Sequence, residues 1–340
     1  MKILLIGGTG NIGTSITQQL VDAGHDLTIF TRTGKLPLAL SDTVSSIQGN
    51  RFDYDDFETK VKSAGSFDCV IDMLTFSPQD AESIIRTFKG RTEQYIFTST
   101  VDVYSKTGTG YPLKENTERN PSEQFAYAFN KAQCERMFEQ ADERGDFNVT
   151  IIRPAYTYSH FFVHSLGFET YFFDRMLKAQ PIIVHGDGRS IWVATHSDDV
   201  ARGYVAAVGN PITYGKAYHL TGEEWMTWDT YHYDLAQAIG APEPTLVHIP
   251  TDLLARIVPD IAELAVLNFS HNNIFDNSAA KNELGYEYTI KWKDGARRGY
   301  EWLAERNLVA NSDNFPFYDR IINAWQTLTT QLVKDFSKDI

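Results

Sequence analysis

The stretch MKILLIGGTGNIGTSITQQL, residues 1–20, decides the fold class. Lys2–Ile6 runs almost wholly apolar, as a parallel strand buried on both faces does. Gly7, Gly10 and Gly13 follow as G-x-x-G-x-x-G. Ile12, Ile16 and Leu20 then recur every four residues, the apolar stripe of a helix, and Gly24 sits where that helix should stop. Glycine is needed at each place: one makes a tight turn, one lets the backbone approach a pyrophosphate, and one lets helix and strand pack closely. The helix N-terminus offers unpaired N–H groups and partial positive charge to such a phosphate.

The alternation continues outward. Leu27–Phe30, Ser46–Gly49, Asp68–Leu74, Gln94–Thr98 and Val149–Ile152 read as further strands. Helical patterns lie over Asp55–Ala64, Gln79–Phe88 and Ser122–Gly145, the last with Ser122 as expected N-cap. The expected fold class is therefore α/β: a Rossmann-type doubly wound parallel sheet with a smaller, closely grafted C-terminal substrate domain. The expected boundaries are 1–156 for the dinucleotide domain, with 192–221 returning to it. Residues 157–191 and 222–310 are expected to form the substrate domain, and 311–340 a helical tail over Tyr318–Phe336. The aromatics of 157–191 are read as core and pocket lining together.

The chain has 340 residues, 42% hydrophobic and 22% charged, which excludes wholesale disorder. Lys and Arg number 31 against 44 Asp and Glu, a net charge of −13. So acidic a chain repels a phosphate backbone, and nucleic acid is not an expected partner. Two cysteines, Cys69 and Cys134, imply no disulfide framework and fit a reducing compartment. No apolar run approaches the ~20 residues of a membrane helix, and the one at the start is too short for a secretory segment. The expectation is a cytoplasmic protein with no membrane partner.

Tyr127 and Lys131 are four apart on the helix read over Ser122–Gly145, so they share one face. That stripe continues through Cys134, Phe138 and Ala141, so the face packs inward. A buried ammonium beside a phenol lowers the phenol pKa from ~10. A phenolate near neutrality is a general base, and its phenol a general acid, for a substrate hydroxyl. The fifth strand ends Thr98-Ser99-Thr100, and small hydroxyls at the carboxyl edge of a parallel sheet sit where ligands bind. Thr100 or Ser99 can then donate to the oxygen on which Tyr127 works. The second strand ends Phe30-Thr31-Arg32-Thr33, without the carboxylate that binds the ribose 2′-hydroxyl of NAD. The planar fork of Arg32 suits a 2′-phosphate, which favours NADP over NAD.

The segments Gly7-Gly8-Thr9-Gly10-Asn11-Ile12-Gly13, Ser99-Thr100…Val103-Tyr104, Tyr127…Lys131, Arg153-Pro154…Tyr158, Gly186-Asp187-Gly188 and His196-Ser197-Asp198-Asp199-Val200-Ala201 stand in one order over residues 1–225. In that order they resemble the extended short-chain dehydrogenase/reductase superfamily, and within it the NAD-dependent epimerase/dehydratase family. The final third is similar more weakly, through Asp276-Asn277-Ser278 and Leu284-Gly285-Tyr286. The resemblance implies NAD(P) held by Gly7, Thr9, Gly10, Asn11, Ile12 and Gly13, with Thr98 and Ser99 beside it. It implies Tyr127 as the acid/base, Lys131 as the group that lowers its pKa and holds the nicotinamide ribose, and Thr100 as the catalytic hydroxyl. It places Asn50 and Arg51 at the adenine pocket, Leu74 and Thr75 along the phosphate and ribose, and Pro154 and Ala155 beside the nicotinamide. It also implies a homodimer, through helices near 79–90 and 122–145.

Several positions depart from that pattern. Phe129 is bulky where small or polar residues are usual, and Ser159-His160 replace Gly-Pro. Trp192 stands where nucleotide-sugar epimerases carry an arginine on the diphosphate, leaving Arg189, Arg175 and Arg297 as stand-ins. His160 and His164 have the spacing of two metal ligands on a helix, but no His-Glu-x-x-His motif accompanies them, and no metal is expected. No G-x-S-x-G elbow supports a hydrolase. The expected function is an NAD(P)-dependent epimerase/dehydratase-type oxidoreductase acting on a hydroxyl or carbonyl of a small molecule, with a sugar nucleotide as one candidate. The alternative is a non-catalytic NAD(P)-binding sensor or RNA-associated relative.

Overall fold

The computed structural model describes residues 1–34, 43–106 and 110–337. The chain divides into two compact units. Met1–Tyr158, Val193–Glu224 and Ile274–Ile290 form the first, and Ser159–Trp192, Trp225–Asn273 and Lys291–Ile340 the second.

The first unit opens with β1 (Lys2–Ile6), α1 (Asn11–Asp22), β2 (Asp26–Thr31), β3 (Ser45–Gln48), α2 (Tyr54–Ser63) and β4 (Phe67–Asp72). It continues through α3 (Pro78–Phe88), β5 (Thr92–Thr98), α4 (Ala126–Glu143), β6 (Asn148–Pro154) and the short β7 (Thr157–Tyr158). The second unit intervenes with α5 (Tyr171–Leu177), β8 (Ile182–His185) and β9 (Ile191–Trp192). The chain then returns through β10 (Thr195–His196), α6 (Ser197–Ala207) and β11 (Lys216–Leu220).

Seven strands form one sheet in the order β11-β6-β5-β4-β1-β2-β3, and every pair is parallel. The apolar run of β1 is explained by its central place. Ile3 and Leu5 pack on one face with Ile16 and Leu20 of α1 and Val200 and Tyr204 of α6. Leu4 and Ile6 pack on the other with Phe57, Ile84 and Phe138 from α2, α3 and α4. Each such side chain contributes roughly 1.5–3 kcal/mol by burial. Strand order reverses between β1 and β4, and ligands of open α/β sheets bind beyond the carboxyl ends at such a point.

Behind that edge lies a buried ion pair. Arg153 on β6 donates to both carboxylate oxygens of Glu135 on α4, each at 2.8 Å. Its Nη1 also reaches the Tyr104 hydroxyl at 2.6 Å, and Tyr104 bonds His219 Nε2. Paired and hydrogen-bonded in this way, the buried charges fix α4 on β6; removing one partner alone costs roughly 3–5 kcal/mol.

The second unit holds β12 (Met226–Thr227), α7 (Trp228–Ala238), β13 (Leu246–Ile249), α8 (Thr251–Ile257) and α9 (Pro259–Leu264). The helix α10 (Ser278–Leu284) belongs to the first unit, and α11 (Trp292–Glu305) and α12 (Pro316–Phe336) to the second. Strand β8 pairs with β13, and β9 with β12. Its core is aromatic: Trp192 lies 4.7 Å from Trp228 and 4.9 Å from Phe269, and Tyr231 stacks on Trp292 at 4.5 Å. Of the aromatics in 157–191, Phe162, Tyr171, Phe172 and Phe173 are buried, while Phe161 and Phe168 stack on each other at the surface.

Two boundaries differ from the sequence reading. Residues 274–290, read within 222–310, lie in the first unit. The backbone of Leu113 bridges Phe275, with Leu113 N donating to Ile274 O and Asp276 N to Leu113 O, both at 2.8 Å. Ala280, Leu284 and Tyr286 then fill the core beside α6 and β11. The tail after 311 is part of the second unit, anchored by Tyr318, Ile321 and Ile322; residues 338–340 of it lie outside the described residues. Among the described residues no helix is long and apolar enough to cross a membrane.

Candidate active site

Gly7, at the end of β1, has φ +96°, a conformation open to glycine at little cost. A Cβ on Gly13 would stand 2.2 Å from the Gly7 carbonyl oxygen, so only glycine lets α1 start this close to β1. A Cβ on Gly10 would meet only that oxygen, at 3.7 Å. Gly10 is the N-cap of α1, where no side chain caps the helix and no acidic residue occupies the first turn. With Thr9 and Gly10 ahead of it and no side-chain cap on it, the start of α1 at Asn11, Ile12 and Gly13 fits a dinucleotide pyrophosphate. Asn11 Nδ2 donates to Thr157 O at 2.8 Å and ties the helix start to β7.

Thr31 is buried at the end of β2, and the next residue, Arg32, is exposed. Asn50 is exposed, its Oδ1 accepting from Phe52 N at 3.1 Å. Arg51 is not open to an adenine ring through its side chain, because it is only 1% exposed. Its Nη2 donates to Thr75 Oγ1 at 3.3 Å and Asp80 O at 3.0 Å, and its guanidinium lies 4.3 Å over Phe57. Leu74 abuts Gly7. Pro154 ends β6 at the same edge, with Ala155 following.

The helix of the Tyr–Lys pair starts at Ala126 rather than after Ser122. Ser122 instead closes a turn ahead of it: Phe125 N donates to its carbonyl at 3.0 Å and Gln124 N to its hydroxyl at 3.2 Å. Tyr127 consequently stands in the first turn of α4. Lys131 is buried, and its Nζ donates to Thr75 O and Thr98 O, each at 2.7 Å. The ammonium lies 4.7 and 4.9 Å from the rings of Phe76 and Phe97, and 5.9 Å from that of Tyr127. Burial pulls its pKa down to about 8, against the pull of Asp72 and other nearby acids.

Tyr127 is 41% exposed. Its phenol differs from the sequence reading, being raised above the ordinary value rather than lowered. Burial of the hydroxyl is the main cause, Asp102 adds to it, and a hydrogen bond with Thr100 acts downward. Lys131, committed to two carbonyls, does not offset them. Thr100 Oγ1 also bonds Asp102 Oδ2 at 3.3 Å and accepts from Asp102 N at 3.2 Å. Ser99 is buried, its N–H given to Ile152 O at 2.7 Å. Thr98 Oγ1 accepts from Tyr204 OH at 2.8 Å.

Sequence reasoning brought Tyr127, Lys131, Thr98, Thr100 and Thr75 to one edge, and the structure places them there together. It missed Asp102, Asp72 and Tyr204. A carboxylate ending the buried strand Val70-Ile71-Asp72 is the signal that was available for the second of these. His160 and His164 go to different neighbours: His160 stacks on Trp302 at 4.1 Å, and His164 is buried 4.9 Å from Phe172. Two of the stand-in arginines are committed elsewhere. Buried Arg175 pairs with Asp319 at 2.6 Å, and Arg297 with Asp294 at 2.6 Å.

A profile of the NAD dependent epimerase/dehydratase family matches residues 3–220. The chain is 28% identical to the chloroplast stem-loop binding protein of 41 kDa b of Arabidopsis thaliana, over 95% of this chain and 84% of that protein. It is 23% identical to 2′-dehydrokanamycin reductase of Streptomyces kanamyceticus, over 81% of this chain and 77% of that protein. Its fold is similar to that of UDP-glucuronic acid 4-epimerase from Bacillus cereus, solved in complex with NAD. That likeness has a TM-score of 0.70 at 19% identity and covers 90% of this chain and 97% of the other.

Proposed function

The chain belongs to the NAD dependent epimerase/dehydratase family, and from that premise we propose that it is an NAD(P)-dependent oxidoreductase acting on a hydroxyl or carbonyl of a small molecule, with Tyr127 as acid/base. The observation that carries this reading is the Lys131 ammonium. It is buried against two carbonyl oxygens at the sheet edge, one helical turn from Tyr127, and the start of α1 after the glycine loop carries no side-chain cap. Burying a cation without a countercharge in contact is costly, and such groups cluster at functional sites.

A bound dinucleotide supplies a hydride donor or acceptor and, when oxidised, a positively charged ring. Tyr127 gives its proton to a substrate carbonyl oxygen, or takes one from a substrate hydroxyl. Thr100, hydrogen-bonded to Tyr127, orients that oxygen. Lys131 keeps one N–H beyond the two given to carbonyls and offers it to a ligand hydroxyl. Tyr127, held up by burial and the Asp102 charge, would ionise more readily were an oxidised dinucleotide bound. Arg32, exposed at the end of β2 where an acid would select NAD, supports a preference for NADP. The buried thiols Cys69 and Cys134 suit a reducing compartment such as the cytoplasm, and α3 and α4 are the faces proposed to pair in a homodimer.

The substrate proposed is a small molecule, with a sugar nucleotide as one class. Trp192, buried in the aromatic core of the second unit, offers no cationic grip for a diphosphate. The reading is tested by fluorescence titration with NADPH and NADH, followed by turnover against a panel of sugar nucleotides, aminocyclitol ketones and steroid ketones. Tight NADPH binding with turnover of one class is expected; binding of neither dinucleotide overturns the reading. A second reading, a non-catalytic relative associated with RNA, draws on the likeness to the stem-loop binding protein. The net charge of −13 and the presence of Tyr127 and Lys131 weigh against it.

A further inference from the structure

Among the described residues, Lys131 has no carboxylate in hydrogen-bonding contact. Its two carbonyl partners belong to Thr98 and Thr75, and Thr75 is itself held by a buried polar network. Thr75 Oγ1 donates to Asp72 Oδ2 at 2.7 Å and accepts from Arg51 Nη2 at 3.3 Å. The same Asp72 oxygen accepts from Tyr95 OH at 2.8 Å, and Asp72 Oδ1 accepts from Leu74 N. Asp72, Thr75, Lys131 and Arg51 are all essentially without solvent exposure. A buried carboxylate in such a medium acts strongly on a nearby ammonium, and the peptide it anchors is the one whose carbonyl receives that ammonium.

We propose that Asp72 is a positioning and charge-balancing residue for Lys131, acting through Thr75. Its carboxylate fixes the Thr75 peptide, so that the carbonyl meets the ammonium, and its negative charge keeps that ammonium protonated in a site that disfavours any charge. Arg51, on the same hydroxyl, holds the peptide from the other partner side and anchors it to Asp80 O. The other groups facing Lys131 are Asp80 on α3 and Cys134 and Glu135 on α4, all of which favour its charged form less than Asp72 does. Tyr127 on α4 and Phe76 and Phe97 supply rings rather than countercharge. The value of about 8 for Lys131 puts its titration close to neutrality, so a modest loss of negative charge changes its protonation in the working range.

The inference rests on the proposed role of Lys131, and the experiment separates the two. The ¹⁵N resonance of the Lys131 ammonium is followed against pH in the full chain without dinucleotide or substrate, assigned by its loss in Lys131→Gln. Asp72→Asn keeps the shape and most of the hydrogen bonds of the network. It is expected to move the midpoint down by about one pH unit, the size of shift one nearby buried charge produces. Thr75→Val, which loses the hydroxyl and keeps the carbonyl, is expected to move it in the same direction, whereas Thr75→Ser titrates with the wild type. At pH 7.5, turnover of Asp72→Asn falls about threefold, and the deficit closes by about pH 6. An unchanged midpoint in Asp72→Asn overturns the proposal; if that variant does not fold, identical midpoints in Thr75→Val and Thr75→Ser overturn it equally. A shifted midpoint with no turnover in any protein leaves Asp72 in this role and removes the catalytic reading instead.

Discussion

The Asp102 carboxylate acts on the Tyr127 hydroxyl, and it acts against ionisation. Thr100 stands between the two side chains, bonded to Asp102 at 3.3 Å and lowering the phenol that Asp102 raises. The acid/base group proposed for this protein is thus tuned by a neighbour two residues beyond the strand-end hydroxyl.

Replacing Asp102 by Asn removes a negative charge from beside the phenol, so the Tyr127 pKa falls. A drop of about one unit is expected from the loss of one such neighbour. Tyrosinate absorbance, taken as the difference between Asp102→Asn and Asp102→Asn/Tyr127→Phe proteins, reads the midpoint directly. The basic limb of kcat/KM should move to lower pH with it. A midpoint that stays in place or rises contradicts the assignment of Asp102 to this environment.

Gly13→Ala drives a methyl group to within 2.2 Å of the Gly7 carbonyl oxygen. The turn and the start of α1 must shift, at a cost of about 1–3 kcal/mol. The expected signature is a lower Tm together with loss of the added stabilisation that saturating NADPH gives the wild type. Gly10→Ala, where open space surrounds the position, leaves Tm nearly unchanged and serves as the matched control for folding.

Arg32→Ala separates the two dinucleotides. A charge-assisted contact to a 2′-phosphate accounts for about 1.5–3 kcal/mol, so NADPH affinity falls by about 10–100-fold while NADH affinity hardly moves. Equal losses for both would show that Arg32 does not select the phosphate.

Stability falls as the solution is acidified below about pH 6.5. Burial holds His185 and His232 near pKa 4 and His164 near 3 in the second unit, and His219 near 4 in the first. In each case the folded value lies below the unfolded 6.5, so the unfolded chain binds more protons between the two values. The stabilisation is complete above the unfolded value and is lost as pH falls toward the folded one. Each histidine contributes roughly 3 kcal/mol by pH 4. Urea midpoints measured from pH 7.5 to 4.5 should fall steadily, and His232→Gln should flatten that slope.

The parts of the fold legible in the sequence were those with local signatures. The run Lys2–Ile6 was readable because β1 is buried on both faces, and the glycine spacing because Gly7 and Gly13 touch. The start of α4 was misplaced because Ser122 uses its cap chemistry on a turn four residues earlier. The return of residues 274–290 to the first unit depends on the bridge between Leu113 and Phe275, a pairing across 162 positions that no local period records. Tyr127, Lys131 and Thr100 were visible by type and spacing. The raised phenol was not, because Asp102 and the hydroxyl's burial act through space, and the lysine expected to lower it is spent on Thr75 and Thr98.

The central claim is that Tyr127 moves the proton, and the split between binding and turnover in Tyr127→Phe tests it most directly. The variant should bind NADPH with an affinity within about twofold of wild type while single-turnover hydride transfer slows by about 10²–10⁴, the range supplied by a positioned acid or base. Hydride transfer at the wild-type rate in Tyr127→Phe, with a substrate the wild type turns over, contradicts the account.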